Sequence, residues 1–292
     1  MNDSSQLPTS KLNAYWRLMR ADKPIGIFLL LWPCLWALWI ASAGDPNLHI
    51  LVVFLLGVVV MRSAGCVIND YADRNVDGLV ERSSTRPMVT GEVTEKEALG
   101  LFFVLLICAL ILVLTLSWQT VFMSVGGLLL AIIYPFMKRY TQLPQVVLGA
   151  AFSWSIPMVF VATEQPLNGT VWALYFANLA WTVAYDTQYA MVDKNDDIKI
   201  GVKSTAILFG QYDKLMIILL QMFSLLLLTT AALWLKLSWP FYLALIISMG
   251  LFVYQQRLIK DRERSLCFKA FLHNNYVGLA LTLGVIGHYA IY

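Results

Sequence analysis

Long apolar runs constrain the fold of this chain more than any other feature. The chain has 292 residues, of which 59% are hydrophobic and only 13% are charged, and the charges cluster between the runs. A helix needs about 20 predominantly apolar residues to cross the hydrocarbon core of a membrane. Nine segments approach that length, at residues 25–42, 48–68, 98–116, 120–137, 146–162, 171–192, 215–235, 239–254 and 276–291.

The runs predict helices rather than strands. Backbone polar groups inside lipid must be satisfied within the protein, and only helices and closed barrels achieve this. Continuous hydrophobicity does not match the alternating pattern of a membrane barrel. We therefore expect an all-α polytopic membrane protein with nine transmembrane helices around a central cavity. Residues 25–292 would form its single domain, after a segment 1–24 in which residues 12–19 predict a short interfacial helix.

Basic residues predict the orientation in the membrane. Lysine and arginine are concentrated in alternate loops, whereas the loops on the other side contain only Lys236. The positive-inside rule places the basic loops, the N-terminus and the active-site face in the cytoplasm. Nine spans then leave Tyr292 outside. The first twenty residues show no cleavable signal or transit pattern, which favours a bacterial cytoplasmic (inner) membrane.

Two clusters of acidic residues follow the second and sixth apolar runs. Residues 69–77 include Asp73 and Asp77, and residues 186–197 include Asp193 and Asp197. The i,i+4 spacing would place each pair on one face of a helix, where the two carboxylates repel each other. Such clusters beside a membrane are costly unless a cation or a water-filled cavity compensates them. The pattern predicts a site for divalent cations at one membrane surface.

The chemistry of these side chains indicates a magnesium-diphosphate site. Mg²⁺ prefers oxygen ligands, keeps several waters and commonly bridges carboxylates to phosphates. Basic residues on the same face can hold the remaining phosphate oxygens. The candidates are Arg20, Lys23, Arg62, Arg74, Lys138, Arg139 and Lys203. Arg62 lies two helical turns before Asn69 and therefore points deeper into the membrane. A diphosphate at the water-facing end, with its hydrocarbon tail along apolar helices, fits this arrangement.

The two clusters also resemble the motifs of a known family. Asn69-Asp70-x-x-Asp73-x-x-x-Asp77 resembles the first motif of the UbiA superfamily of intramembrane prenyltransferases, and the segment from Asp186 to Asp197 resembles the second. Residues 18–26, 134–139 and 200–206 are similar, more narrowly, to the branch that acts on 4-hydroxybenzoate in ubiquinone biosynthesis. The resemblance extends over essentially the whole chain.

The resemblance implies an enzyme that depends on Mg²⁺. It would transfer a polyprenyl group from polyprenyl diphosphate to the ring carbon ortho to the hydroxyl of 4-hydroxybenzoate, giving 3-polyprenyl-4-hydroxybenzoate and diphosphate. Asn69, Asp73 and Asp77 would hold one Mg²⁺, and Asp193 with Asp197 the other. The basic groups for diphosphate or the acceptor carboxylate would be Arg62, Lys138 and Arg139, with Arg139 also counted as catalytic. Asp193 is the candidate for orienting or deprotonating the phenol. The expected partners are these substrates and membrane lipid, with no nucleic acid.

Other interpretations remain open at this point. Paired carboxylates also occur in cation transporters and channels. Against transport, the acids cluster on one face, and only the isolated Asp45 and Glu164 lie on the other. Within the family, a naphthoate or a haem is an alternative acceptor. For the loop arginines Arg82 and Arg86, a role in membrane orientation and contact with anionic lipid is the simpler interpretation.

Overall fold

The computed structural model describes residues 10–291, and those residues contain twelve α-helices, three short 3₁₀ turns and no strand. The prediction of an all-α fold is confirmed. The predictions for residues 1–9 and for Tyr292 lie outside this range. The helices are α1 (Lys11–Leu18), α2 (Ile25–Ala41), α3 (Leu48–Asp73), α4 (Glu95–Val113), α5 (Trp118–Tyr140), α6 (Pro144–Ser153), α7 (Ser155–Ala162), α8 (Gly169–Ile200), α9 (Thr205–Phe209), α10 (Asp213–Trp234), α11 (Trp239–Leu258) and α12 (Arg264–Ile291).

The outer surface of the bundle is apolar. Helices α4 and α5 expose large side chains such as Phe103, Ile107 and Phe122, each more than half accessible. Contiguous exposed apolar surface of this kind is typical of a face that contacts lipid. Six helical stretches in residues 10–291 are long and apolar enough to cross a membrane: Leu48–Asp73, Glu95–Val113, Trp118–Tyr140, Pro144–Ala162, Thr205–Trp234 and Trp239–Leu258.

The remaining predicted spans are also helical, but with less apolar or shorter helices. Helix α2 is apolar and has 17 residues, whereas α8 and α12 are longer and bury polar side chains such as Asn178, Gln188 and Asn274. The predicted span at residues 146–162 consists of two helices, α6 and α7, which meet at Trp154.

Helix α8 organises the second half of the chain. It packs against α6, α10 and α12, while α2 packs against α3, α7 and α12 and so connects the two halves. Gly201, with φ of 73°, ends α8 in the left-handed conformation that glycine adopts without steric cost, and its N–H donates to the carbonyl of Asp197. The chain therefore turns directly after the second acid cluster, and Lys203 and Ser204 come back beside it.

A chain of buried amides connects α8, α10, α11 and α12. Trp181 Nε1 donates to Asn274 Oδ1 at 2.9 Å, and Asn274 Nδ2 donates to Gln188 Oε1 at 2.9 Å. Gln188 Nε2 and Gln221 Nε2 both donate to Gln255 Oε1, at 3.2 and 2.9 Å. Hydrogen bonds between polar side chains of neighbouring helices help to specify how membrane helices pack. The network therefore sets the position of the helix that carries Asp193.

Replacement of Asn274 by leucine should destabilise the bundle. The change leaves Trp181 Nε1 and Gln188 Oε1 buried without their partner, which costs about 1–3 kcal/mol for each unsatisfied group. Asn275→Leu is the matched control, since Asn275 is only half-buried and accepts one bond, from Trp32 Nε1. Unfolding in detergent should show a clearly larger loss for Asn274→Leu. Equal losses would mean that the network adds no specific stability.

Candidate active site

A polar cavity of about 150 Å³ lies at one end of the bundle, where α3, α5 and α8 reach their C-terminal turns. Its wall includes all five predicted metal ligands and two of the predicted basic residues, namely Asn69, Asp73, Asp77, Asp193, Asp197, Lys138 and Lys203. The two acid clusters, which lie about 120 residues apart in the sequence, therefore face one space.

The two acid pairs differ in backbone conformation. Asp193 and Asp197 both lie in α8, as the spacing predicted. The corresponding prediction for Asp73 and Asp77 was wrong, because α3 ends at Asp73 and Asp77 begins a 3₁₀ turn, Asp77–Leu79. In this turn Asp77 makes two interactions: Arg86 Nη1 binds its carboxylate at 2.5 Å, and Ser83 Oγ donates to its carbonyl at 2.8 Å.

Three of the carboxylates are bound by basic side chains. Lys138 of α5 binds Asp73, and Arg86 binds Asp77. Arg82 donates from Nε and Nη2 to both oxygens of Asp193, at 2.5–3.1 Å. All three acids are buried, and a buried carboxylate requires such a partner. Lys138 thus connects α5 to the end of α3, and Arg82 connects the segment that follows α3 to α8.

Asp197 completes the acidic wall. It lies beyond the predicted span, at the end of α8, and is half-buried. Burial raises the pKa of its carboxyl group to about 7, with a further contribution from the neighbouring Asp193 carboxylate. A cation in the cavity would relieve this repulsion.

Behind the cavity, Asp70 connects Arg86 to the start of the chain. Arg86 Nη1 lies 3.1 Å from Asp70 Oδ1, and Arg20 Nη2 donates to both oxygens of Asp70 at 2.8 and 2.9 Å. Neither Arg20 nor Lys23, predicted to bind phosphate, lines the cavity, and Lys23 is exposed. Arg20 instead supports the site from outside.

A second cavity, apolar and about 420 Å³ in volume, lies between α3, α4, α5 and the α6–α7 pair. Tyr134 lines both cavities, so the two spaces adjoin at this residue. Arg62 lines the apolar cavity, with its guanidinium 6.0 Å from the centre of the Phe152 ring. A Cβ at Gly26 would overlap that guanidinium, so a larger residue there would displace the Arg62 side chain from this position. Arg62 Nε is buried and has no hydrogen-bond partner among residues 10–291.

The remaining predicted basic residues have different surroundings. Lys203 lines the polar cavity, and its Nζ lies 3.4 Å from the carbonyl oxygen of Tyr140. Arg139 is exposed, donates to the carbonyl of Ala72 and is not part of the cavity wall. Arg74 lies over the ring of Tyr71 and pairs with Glu95.

Sequence reasoning missed three charged residues among those that line the polar cavity. Arg82 and Arg86 had been interpreted as residues that set membrane orientation, and Asp186 was named only as part of a motif. In the sequence, Arg82 and Arg86 follow the first acid cluster at i,i+4 spacing, and their positive charges balance its negative charge. Their contacts with Asp193 and Asp70 depend on the tertiary fold.

The donor set fits Mg²⁺. Carboxylate and amide oxygens dominate the acidic wall, and Asp73 Oδ1 is buried without a hydrogen-bond partner in the described part of the chain. No three His, Cys, Asp or Glu side chains of residues 10–291 form a ready-made metal cage. Mg²⁺ does not require one, because it usually takes one or two carboxylates and completes its shell with water and substrate phosphates.

The model of the UbiA prenyltransferase family matches residues 30–277, which is most of the chain. This chain belongs to that family. A 4-hydroxybenzoate octaprenyltransferase from Pseudoalteromonas atlantica is 59% identical over 280 residues, covering 96% of this chain and 98% of the relative. The family and the helical bundle together identify a membrane protein.

Two solved structures have the same fold. A UbiA homolog from Aeropyrum pernix aligns with a TM-score of 0.77 at 22% identity, covering 91% of this chain and 96% of that one. A UbiA homolog from Archaeoglobus fulgidus, bound to GPP and Mg²⁺, aligns with a TM-score of 0.68 at 18% identity over 94% of this chain and 99% of that one.

Loss of Arg86 should destabilise the site end of the protein. Arg86→Gln leaves the buried carboxylates of Asp70 and Asp77 without their shared cation, and removal of one partner from a buried pair costs about 3–5 kcal/mol. Arg264→Gln is the control, because Arg264 pairs with Glu81 and Asp196 while 39% of its side chain is exposed. An exposed pair contributes about 1 kcal/mol or less. Unfolding in detergent tests this, and equal effects would contradict the buried network.

Proposed function

We propose that the protein is a Mg²⁺-dependent 4-hydroxybenzoate polyprenyltransferase of ubiquinone biosynthesis. It would transfer the polyprenyl group of a polyprenyl diphosphate to the ring carbon ortho to the hydroxyl of 4-hydroxybenzoate. The observation that carries the proposal is the junction at Tyr134 between a polar cavity with both acid clusters and an apolar cavity. The name of a 59% identical relative supports this acceptor.

The two cavities suit the two ends of a lipid diphosphate. The diphosphate would lie in the polar cavity beside Lys138 and Lys203, and the hydrocarbon tail in the apolar one. Asn69, Asp73, Asp77, Asp193 and Asp197 would hold Mg²⁺. When bound, Mg²⁺ supplies neutralising charge that makes the diphosphate a better leaving group. The residues themselves fix the position of the carbon-oxygen bond that breaks, close to the ring of Tyr134, which can stabilise developing positive charge.

The acceptor would approach from the same junction. Arg62 is the candidate for its carboxylate, because the Arg62 guanidinium lines the apolar cavity and its buried Nε has no partner in residues 10–291. Arg139, which binds the carbonyl of Ala72 outside the cavity, would act indirectly by holding the end of α3. Asp193 remains the candidate for orienting the phenol. The new carbon-carbon bond forms at the ring, and the proton displaced from that carbon leaves to solvent or to a carboxylate.

The proposal includes the arrangement in the membrane. Residues 25–292 would form one domain with nine spanning helices, after the segment 1–24, and the polar cavity would open to the cytoplasm at the inner membrane. The concentration of lysine and arginine near this cavity supports that orientation.

Product formation by the purified full chain in detergent tests the function. 4-Hydroxybenzoate and a polyprenyl diphosphate should give prenylated benzoate with Mg²⁺ and none with EDTA. Asp73→Ala and Asp193→Ala should each lower the rate at least about a hundredfold, the scale for removing one group that stabilises developing charge. Asp45→Ala, an exposed acid in the loop between α2 and α3, is the control and should keep full activity.

Two results would contradict the proposal. Full activity of Asp73→Ala and Asp193→Ala would remove the acid clusters from the reaction. Absence of product with every tail length, in folded protein, would direct the search to a naphthoate or haem acceptor, each tested with the same diphosphate.

A further inference from the structure

Helix α2 leaves a space that the side chain of Arg62 fills. Gly26, the second residue of α2, is buried and has no Cβ. A Cβ added there would lie 2.5 Å from Nη2 and 2.7 Å from Cζ of Arg62, and closer still to Nε. A real Cβ stays at least 3.0 Å from such neighbours. The guanidinium therefore occupies the volume that the side chain of any other residue at this position would need.

The backbone gives no reason for a glycine at residue 26. Gly26 lies within α2, and its φ is not positive. In a helix, glycine is less favourable than alanine. The space for Arg62 is therefore the structural feature that glycine permits here and alanine does not. This contact also connects the segment 18–26 to a cavity wall, although Arg20 and Lys23 do not line the polar cavity.

Packing, rather than polar contacts, holds the Arg62 guanidinium in place. None of the ion pairs among residues 10–291 includes Arg62, and its buried Nε has no hydrogen-bond partner there. The guanidinium lies over the ring of Phe152, which is a weak contact. The atoms that a Cβ at Gly26 would meet form the end of a flexible side chain. Alanine at residue 26 would therefore move the guanidinium and leave the helices in place.

The position of this guanidinium decides where an acceptor carboxylate can bind. Arg62 and Tyr134 both line the apolar cavity, and Tyr134 also lines the polar one. The planar fork of an arginine binds a carboxylate in a fixed orientation. A carboxylate on Arg62 would thus hold the attached ring beside the junction of the two cavities, and a displacement of the fork by about 1 Å would misplace the ring.

We propose that Gly26 is a specificity-determining residue, which favours an acceptor with a carboxylate by leaving the volume for the Arg62 guanidinium. Gly26 acts through Arg62 and is a positioning residue. A larger residue would deprive the acceptor of its carboxylate partner, whereas the diphosphate would keep its partners, because neither Gly26 nor Arg62 lines the polar cavity. The inference rests on the proposed function and adds to it how the protein selects its acceptor.

Kinetics of the full chain in detergent measure the effect on each substrate separately. In Gly26→Ala, the KM for 4-hydroxybenzoate should rise at least about tenfold, the scale for the loss of one hydrogen bond to a charged group. The KM for polyprenyl diphosphate should change less than about twofold, since the polar cavity is unaltered.

A neutral analogue measures the selectivity directly. 4-Hydroxybenzamide has nearly the shape of 4-hydroxybenzoate but carries no charge, and calorimetry gives the affinity of each compound without turnover. The wild-type protein should bind the carboxylate at least about tenfold more tightly than the amide, because arginine binds the charged group more strongly. In Gly26→Ala this ratio should fall towards one.

Gly284→Ala controls for crowding at another buried glycine of a helix. A Cβ there would meet atoms of α11, including Ala244 Cβ and Phe241 Cα, and none of these residues lines either cavity. The melting temperature should fall, because backbone atoms have to move. The KM for 4-hydroxybenzoate and the selectivity against the amide should remain at their wild-type values.

Arg62→Ala completes a double-mutant cycle. Arg62→Ala alone should raise the KM for 4-hydroxybenzoate, and addition of Gly26→Ala should change it less than about twofold, because the group that Gly26 positions is gone. The cycle also decides the case in which Gly26→Ala alone does not fold. The double variant should then fold, since its methyl group fills the vacated volume, and Arg62→Ala should have lost the selectivity for the carboxylate.

The outcomes separate the inference from the function on which it rests. The role of Gly26 would be overturned by an unchanged KM in Gly26→Ala, by an equal rise in Gly284→Ala, or by a full further rise in the Arg62→Ala background. Failure of Arg62→Ala to restore folding would overturn it too. Wild-type acceptor KM in Arg62→Ala would remove the acceptor contact itself. In all these cases the proposed function stands. If the wild-type protein does not prenylate 4-hydroxybenzoate, the proposed function fails first and the inference fails with it.

Discussion

Carboxylates at the end of an apolar helix bundle need cations beside them, and most of the architecture around the cavity follows from this requirement. Asp73, Asp77 and Asp193 are buried, and each is bound by a lysine or arginine; Arg86, the partner of Asp77, also pairs with Asp70 of α3. In a region of low dielectric, an unpaired charge costs far more than the pair. The pairs therefore hold α3, α5, α8 and the segment after α3 in a fixed arrangement, and the same charges are the ones that can bind a metal-diphosphate.

Rigidity elsewhere in the bundle keeps these charges in place. The amide network centred on Asn274 and Gln255 fixes α8 against α10, α11 and α12. Arg20 and Asp70 support Arg86 from outside the cavity. Positional precision of this kind is what transfer chemistry requires, because a small displacement of reacting groups lowers the rate strongly. The polar side chains buried in α8 and α12 thus have a structural role. They also make both helices less apolar than the six helical stretches that are apolar enough to cross a membrane.

The contact between a polar and an apolar cavity at Tyr134 separates two tasks within one bundle. The charged side chains gather around the polar cavity at the end of the helices, and among residues 10–291 Arg62 is the one charged residue that lines the apolar cavity. Apolar volume extends from it between α3, α4 and α5, where a hydrocarbon tail would replace lipid contacts at little cost. The reacting bond of a lipid diphosphate lies between its charged and apolar parts, so it would lie at this junction.

The sequence by itself determined the helical class, a short helix before the first apolar run, the approximate positions of the apolar helices and the five acidic and amide side chains that gather in one cavity. These features depend on composition and local spacing, which are properties of short segments. The tertiary structure decided the end of α3 at Asp73, the break at Trp154 and the partners of the basic residues. Arg82 and Arg86 illustrate the reason: a loop arginine looks the same in sequence whether it faces lipid headgroups or a carboxylate on a distant helix. The partner of such an arginine depends on the conformation of the long loop that carries it. Ion pairs between residues far apart in the sequence determine that conformation.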